Sequence, residues 1–288
     1  SASRPHRNLS LCYMTACSII IPAHDEADYI DACLDTILAQ DHAGPAEIIL
    51  VANGCTDDTA ARARARSSDF AARGWSLRVE DLAQGGKIGA LNHGDACASH
   101  GMRIYLDADI RMGPRLLAGL VQVLDVAEPR YAGGRLVVAP ARNAISRAYA
   151  RFWQKLPFVA QGVTGAGLFA VNAAGRARWA AFPAIISDDT FVRLQFHEAE
   201  RFLVNEPYEW PLVEGFGPLV RVRRRQDQGV AEIARLYPDL PARQGHVRPG
   251  RAELLRLAAA DPIGFAAYVA VALAVRGGKN QQGWARGR

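Results

Sequence analysis

Along the first half of the chain, short apolar runs alternate with longer stretches whose apolar residues recur at helical spacing. Cys17–Pro22 is rich in isoleucine and closed by proline, the pattern of a strand buried on both faces. Between Glu26 and Gln40, Ile30, Leu34, Ile37 and Leu38 fall on one helical face. Glu47–Val51 predicts a second strand, and Thr56 is placed to cap a helix with Asp57 and Asp58 in its first turn. Leu77–Val79 predicts a third strand, Ile88–Ala98 a helix and Arg103–Leu106 a fourth strand; Pro114 then opens a helix running to Val126.

This alternation predicts an α/β fold, a mostly parallel central sheet with helices on both faces. The second half is less regular. Tyr131–Val138 predicts a strand, Ala144–Leu156 a helix and Gly162–Gly167 a glycine-containing loop. Ser187-Asp188-Asp189-Thr190 opens a helix carrying Phe191, Val192, Leu194 and Phe196. With no internal repeat and no low-complexity linker, the chain divides into a loose tail (1–16), one compact unit (17–240) and a C-terminal helical extension (241–288).

Two segments invite a membrane reading. Arg4, His6 and Arg7 precede the apolar stretch Leu9–Ala23, as in a secretory leader, but that stretch runs into the isoleucine strand and is read as strand. Near the other end, Pro262–Val275 is apolar yet shorter than the roughly 20 residues a spanning helix requires. Arg251, Arg256 and Arg276 flank it. Two readings stand: a buried C-terminal helix, or a helix lying in the membrane interface.

Composition narrows the class. Half of the 288 residues are hydrophobic and 22% are charged, which excludes disorder, collagen-like repeats and a disulfide-stapled mini-protein. The net charge of +5 suits a phosphate-bearing ligand or an acidic membrane surface and is too small to demand nucleic acid. Lysine occurs only at Lys87, Lys155 and Lys279. The five cysteines (Cys12, Cys17, Cys33, Cys55, Cys97) contain no C-x-x-C pair and read as reduced, buried thiols of a cytoplasmic protein. On the interfacial reading of the last helix, that protein sits at the inner face of the cell membrane.

In a parallel sheet the ligand lies beyond the carboxyl ends of the strands. Those ends read Pro22-Ala23-His24-Asp25-Glu26, Asn53-Gly54-Cys55-Thr56-Asp57 and Asp107-Ala108-Asp109, all polar and rich in carboxylates. No dinucleotide or Walker glycine motif follows any strand. Gly85-Gly86-Lys87 can present backbone N–H groups and one cation to an anion. Asp107 and Asp109 offer hard oxygens suited to Mg²⁺ or Mn²⁺, or else simply cap a turn. Asp188 and Asp189 repel each other, so that one serves as a proton acceptor with a raised pKa, or they serve a helix start capped by Ser187. Arg221, Arg223, Arg224 and Arg225 suit a diphosphate, an anionic lipid or a solvated basic face.

These segments together resemble family 2 glycosyltransferases of the GT-A fold. Ser18–Glu26 is similar to the family's strand-Pro-x-Asn-Glu opening, and Ile48–Thr59 to its strand-Asp-Asp-Gly-Ser-Thr-Asp-Asp-Thr signature. Gly86–Asn92 resembles the Gly-Lys-x-x-Ala-Leu-Asn segment, Leu106–Asp109 the metal motif, and Ser187–Thr190 sits where the family has Glu-Asp. The resemblance spans roughly residues 17–230 and makes 17–240 the catalytic domain.

The resemblance implies a metal-dependent, inverting transfer of a sugar from a nucleoside-diphosphate donor, UDP-sugars favoured, to a saccharide or lipid-linked hydroxyl in glycan or glycolipid biosynthesis. It implies that Pro22, Ala23 and Glu26 line the nucleoside pocket, that Asn53 meets the base edge, and that Lys87 lies near base and phosphates. Asp107 would contact ribose or metal, Asp109 would be the principal ligand of Mn²⁺ or Mg²⁺, and Arg223, Arg224 and Arg225 would hold the departing diphosphate. Asp189, with Asp188 before it, would deprotonate the acceptor.

The chain departs from the family at Asn53, where Asp is usual, at Asp188, where Glu is usual, and in lacking the Gln-x-x-Arg-Trp motif of processive members. A single-transfer enzyme fits better than a polymer-extruding synthase. A non-catalytic nucleotide- or membrane-binding relative would need none of Asp107, Asp109 and Asp189. A sugar-nucleotide pyrophosphorylase would carry a basic glycine-rich loop after the first strand, where this chain is acidic.

Overall fold

The computed structural model describes residues 14–245 and 249–277. The isoleucine run forms β1 (Cys17–Ala23), buried at every position. After α1 (Ile30–Leu38) come β2 (Ala46–Asn53), α2 (Thr59–Ala65), α3 (Ser67–Ala72), β3 (Ser76–Leu82), α4 (Lys87–Cys97) and β4 (Met102–Leu106). These four strands lie in the order β3-β2-β1-β4, all parallel. The period of two sorts the side chains. Ile19, Ile21, Ile48 and Leu50 join Ile30, Leu34 and Ile37 of α1 in one core. Ile20, Ile49 and Val51 point the other way, to Ala90 and Leu91 of α4. Each such buried aliphatic side chain stabilises the fold by about 1.5–3 kcal/mol relative to exposure. Close approach of α4 depends on Gly94, because a Cβ there would sit 2.6 Å from Cγ2 of Ile20.

Past β4 the sheet becomes mixed. Next come β5 (Arg111–Met112), α5 (Leu116–Leu124), β6 (Tyr131–Val138), α6 (Ala144–Trp153), α7 (Pro157–Ala160), β7 (Leu168–Val171), α8 (Ala173–Arg176), α9 (Asp188–Arg193) and β8 (Arg201–Trp210). The eight-stranded order is β3-β2-β1-β4-β7-β6-β8-β5. Strand β7 is antiparallel to β4 and β6, β6 is parallel to β8, and β5 is antiparallel to β8. The pattern of apolar residues does not predict β5, β7 or β8. Strand β8 hides behind Pro207, which it accommodates at a register shift: Gly134 faces Val204 and Arg135 faces Pro207.

Thr56 does not cap the second helix as expected. Helix α2 begins only at Thr59, whose amide and hydroxyl both donate to Oδ1 of Asp57 (3.0 and 2.5 Å). Thr56 instead donates its amide to Oδ1 of Asp25 (2.6 Å). Among the described cysteines, Cys17 and Cys33 are buried, as expected, while Cys55 and Cys97 are half-buried; all four are free thiols. Cys12 and most of the expected tail 1–16 lie outside the described residues, as do 246–248 and 278–288 of the expected extension.

The chain ends in α10 (Phe216–Leu236), α11 (Arg251–Ala260) and α12 (Pro262–Gly277). The last apolar segment forms α12, one side of which packs against the body. Tyr268 stacks on Tyr149 at 5.7 Å, Phe265 meets Phe152 of α6 at 5.5 Å, and Val271 is buried. Ile263 and Leu273 face outward, 70% and 61% exposed. No helix among the described residues is long and apolar enough to cross a membrane.

Asp261 fixes α12 to the body. Its carboxylate takes two hydrogen bonds from Arg151 (2.7 and 2.9 Å) and one from the Gly264 amide (2.9 Å), which holds its pKa well below the usual carboxylate range. Asp261→Asn should lower stability by about 1–3 kcal/mol in urea unfolding. Unchanged unfolding would contradict this anchoring role.

Candidate active site

The strand-end segments converge because β2, β1 and β4 are parallel neighbours, which places Pro22, Asn53 and Asp107 on one edge of the sheet. A narrow crevice there is lined by Pro22, Lys87, Asp107, Gly165, Asp188 and Asp189, among others. Five segments distant in sequence thus meet at one crevice.

Lys87 is its centre. The ammonium lies 2.9 Å from Oδ1 of Asp107 and 3.4 Å from Oδ2 of Asp188. Burial works against its charge, but the two carboxylates outweigh burial and hold Lys87 firmly protonated. Burial, reinforced by repulsion from Asp188, pushes Asp189 up to about 6, while Lys87 pulls it down. Ser187 makes no side-chain cap, so the helix-start reading of the acidic pair lacks its capping hydrogen bond. Its hydroxyl faces Gly229 of α10, where a Cβ would lie within 2.1 Å of Oγ.

Helix α4 aligns these groups. The Gly86 amide donates to Oδ1 of Asn53 (2.8 Å), fixing the turn that launches Lys87. Phe182 and Asn92 clasp each other by two hydrogen bonds: Asn92 Nδ2 donates to the Phe182 carbonyl (3.0 Å) and Oδ1 accepts from its amide (2.7 Å). This clasp fastens the segment leading to Asp188 onto the helix that carries Lys87.

Asn53 is buried and engaged within the protein. Besides accepting from Gly86, it donates to the Ala23 carbonyl (2.6 Å) and the Val51 carbonyl (3.3 Å). Two carbonyl acceptors call for an amide here, the physical reason for Asn in place of Asp. Its side chain ties β1 to β2. Ala23 is buried beside it, and Glu26 lies on the following turn, its amide donating to Oγ1 of Thr59 (2.7 Å).

Asp107 and Asp109 follow the end of β4. Burial and then the negative charge of Asp109, Asp107 and Glu26 push the Cys33 thiol up. The hard oxygens of Asp107 and Asp109 fit Mg²⁺ or Mn²⁺, which take few protein carboxylates and leave positions for phosphate and water.

The arginine run lies inside α10 and divides. Arg224 donates to the carbonyls of Ala274 and Val275 at the end of α12, and Arg223 pairs with Asp227 (3.3 Å) beside Tyr149. Neither is brought to the crevice. Arg225 stands one turn before Gly229, on the face that meets Ser187.

The structure adds residues that the pattern reading passes over. Gly165 (φ +77°) lies between Tyr131 and Asp189: a Cβ there would sit 2.3 Å from the tyrosine hydroxyl and 3.6 Å from Cβ of Asp189. The hydroxyl of Tyr131 is buried with no hydrogen-bond partner among the described residues. Arg193, buried, interacts electrostatically with both Asp189 and Tyr131. The Asp189-x-x-x-Arg193 spacing is the sequence signal that points to it.

Comparisons with known proteins bear on the family and the fold. The family described as glycosyl transferase family 2 matches residues 18–180, more than half of the chain. No curated protein matches the sequence. Among solved structures, a mannosyltransferase from Pyrobaculum calidifontis in complex with GDP-Man and Mn²⁺ superposes with a TM-score of 0.57 at 20% identity, covering 92% of this chain and 76% of that one. Glucosyl-3-phosphoglycerate synthase from Mycobacterium tuberculosis, with Mn²⁺, UDP and glucosyl-3-phosphoglycerate, gives 0.52 at 20% identity over 81% of this chain and 85% of that one. Residues 1–349 of TarS from S. aureus with UDP give 0.51 at 15% identity, over 73% and 64%. At these identities the likeness is one of fold, the GT-A arrangement of a mostly parallel mixed sheet with helices around it. Motifs, fold and family match converge: the chain belongs to glycosyl transferase family 2.

Proposed function

We propose that the protein moves a sugar from a nucleoside-diphosphate donor, with UDP-sugars favoured, to a hydroxyl of a saccharide or lipid-linked acceptor by one inverting displacement. The observation that carries this reading is Asp189: a carboxylate raised to about 6 beside the Lys87–Asp107 pair at the carboxyl ends of parallel strands. A pKa near the working pH suits a general base that takes the acceptor proton. Asp188, paired with Lys87, supplies the repulsion that keeps Asp189 basic. Pro22, Ala23 and Glu26 border the nucleoside, Lys87 supplies a cation beside the phosphates, and of the arginine run Arg225 is assigned to the diphosphate. Asp109 with Asp107 would hold a divalent ion, which would supply charge neutralisation on the leaving diphosphate. The Mn²⁺ and nucleotide complexes of the structural relatives support this assignment.

Membrane-bound acceptors suit the outward side of the C-terminal helices. Leu255, Ile263 and Leu273 are exposed there, with Arg256 and Arg276 beside them. We take this side to be a peripheral contact with anionic lipid. Because the opposite side of α12 is core, point changes test it better than truncation. Ile263→Asp with Leu273→Asp should reduce binding to liposomes rich in anionic lipid while the fold is kept. Equal binding by the double variant would remove the membrane contact.

Asp189→Asn should cut nucleoside diphosphate release from nucleotide sugars by about 10²-fold or more while nucleotide affinity persists. The raised pKa adds a stability signature. The folded protein holds the Asp189 proton up to about pH 6, whereas the unfolded chain loses it near pH 3.9. Stability from this group therefore falls as pH rises across that window, and its charged form opposes folding above it. Asp189→Asn should raise the melting temperature at pH 8 and leave it unchanged at pH 3.5. Wild-type turnover should decline as pH falls through about 6. Normal turnover in Asp189→Asn would overturn the base assignment.

A further inference from the structure

A second group of potential ligands lies outside the carboxylate crevice, where β1 and β2 end. The imidazole of His24, the carboxylate of Asp25 and the thiol of Cys55 bring one ligand atom each to within 4.8 Å of one another. We propose that these three residues form a binding site for a thiophilic divalent metal ion, zinc in the first place, separate from Asp107 and Asp109.

The geometry fixes which atoms would bind. His24 Nδ1 lies 2.7 Å from the carbonyl oxygen of Asn53. A carbonyl only accepts, so Nδ1 is the donor and Nε2 is the ring atom that can coordinate. That nitrogen faces Oδ2 of Asp25 at 3.9 Å. The other oxygen, Oδ1, takes the amide (2.6 Å) and hydroxyl (3.2 Å) of Thr56, which orients Oδ2 toward the histidine. An imidazole held by a backbone carbonyl and a carboxylate held by hydrogen bonds on its second oxygen are the outer-shell supports that metal ligands use.

The sulfur completes the set. The Asp25 amide donates to Sγ of Cys55 (3.5 Å), so the loop after β1 wraps the thiol of the loop after β2. Asp25 does this at φ 52°, the only non-glycine residue among those described with a positive φ. Such a conformation is uncommon for a residue with a Cβ and persists only where its surroundings fix it. Asp57 adds negative charge near both Asp25 and Cys55. In a tetrahedral zinc site the ligand atoms lie about 3.3–3.8 Å apart, so an adjustment of about an ångström brings the three into range. All three residues are half-buried, which leaves the fourth position to solvent. Binding releases the thiol proton to solvent as the thiolate coordinates.

The donor set also separates this site from the first. One sulfur and one imidazole nitrogen select zinc or cobalt, whereas the all-oxygen pair at β4 suits Mg²⁺ or Mn²⁺. The inference does not rest on sugar transfer. A third group, Glu80, His93 and Cys97, offers similar atoms, but the salt bridge of Arg78 to Glu80 places a cation beside it.

Titration of the full chain with Co²⁺ tests the proposal. A near-ultraviolet thiolate-to-cobalt charge-transfer band should appear at one equivalent and vanish when Zn²⁺ is added. It should be absent in Cys55→Ser, and His24→Ala and Asp25→Asn should each weaken Co²⁺ binding at least tenfold while keeping the native circular dichroism. Cys97→Ser and Asp109→Ala should retain the band. No band in the wild-type protein, or a band that survives Cys55→Ser, would overturn the site. Loss in Cys97→Ser with retention in Cys55→Ser would assign the metal to the other group and equally refute it.

Discussion

One ammonium group stands between the carboxylates of two distant parts of the chain. Lys87 reaches Asp107 at the end of β4 and Asp188 at the start of α9, and the sheet, α4 and the segment before α9 must all hold their positions for it to do so. Without Lys87, three acids would meet in a half-buried crevice with nothing to offset their repulsion. Lys87 pulls the Asp189 carboxyl down, but burial and the neighbouring Asp188 outweigh it and leave Asp189 with a raised affinity for protons. One cation therefore offsets part of the repulsion among the carboxylates that meet here.

The frame around that cation consists of ordinary packing and a few buried polar links. Gly94 lets α4 lie against Ile20, Asn53 fixes the Gly86 turn, and Asn92 clasps Phe182. Each link connects α4 to a different part of the site. The helix that carries Lys87 is thereby registered to β1, β2 and the approach to α9 together. The loop holding Gly165 closes the other side, where the space between Tyr131 and Asp189 admits no Cβ.

Much of this was legible in the chain because the first half obeys simple periodicities. The isoleucine run, the amphipathic stretch that becomes α1, and Asp107-Ala108-Asp109 after a short apolar strand are all local signals, and they lead to the crevice at the carboxyl ends of the strands. Tyr131–Val138 is recovered at its observed bounds. What the pattern hides is non-local. Strand β8 is interrupted by Pro207 at its bulge, and β7 is too short to show a period. The orientation of the arginines within α10 depends on which side meets α6 and α12, and the run alone gives no direction. Asn53 reads as a ligand contact from its place in the motif, and only the three-dimensional neighbours show its amide tying β1 to β2. The cap assigned to Thr56 shifted to Asp57 because Asp25, distant in sequence, takes Thr56 for itself.

The central claim is that these strand ends form a nucleotide site completed by a divalent ion. Thermal unfolding with UDP, GDP, dTDP, CDP and ADP, each with and without Mn²⁺, tests it most directly. A ligand that binds only the folded state stabilises it by about 2.7 kcal/mol at a hundredfold excess over Kd. The account predicts a rise in melting temperature with at least one nucleoside diphosphate, UDP first, that requires Mn²⁺. No shift with any nucleotide, with or without the metal, would contradict it.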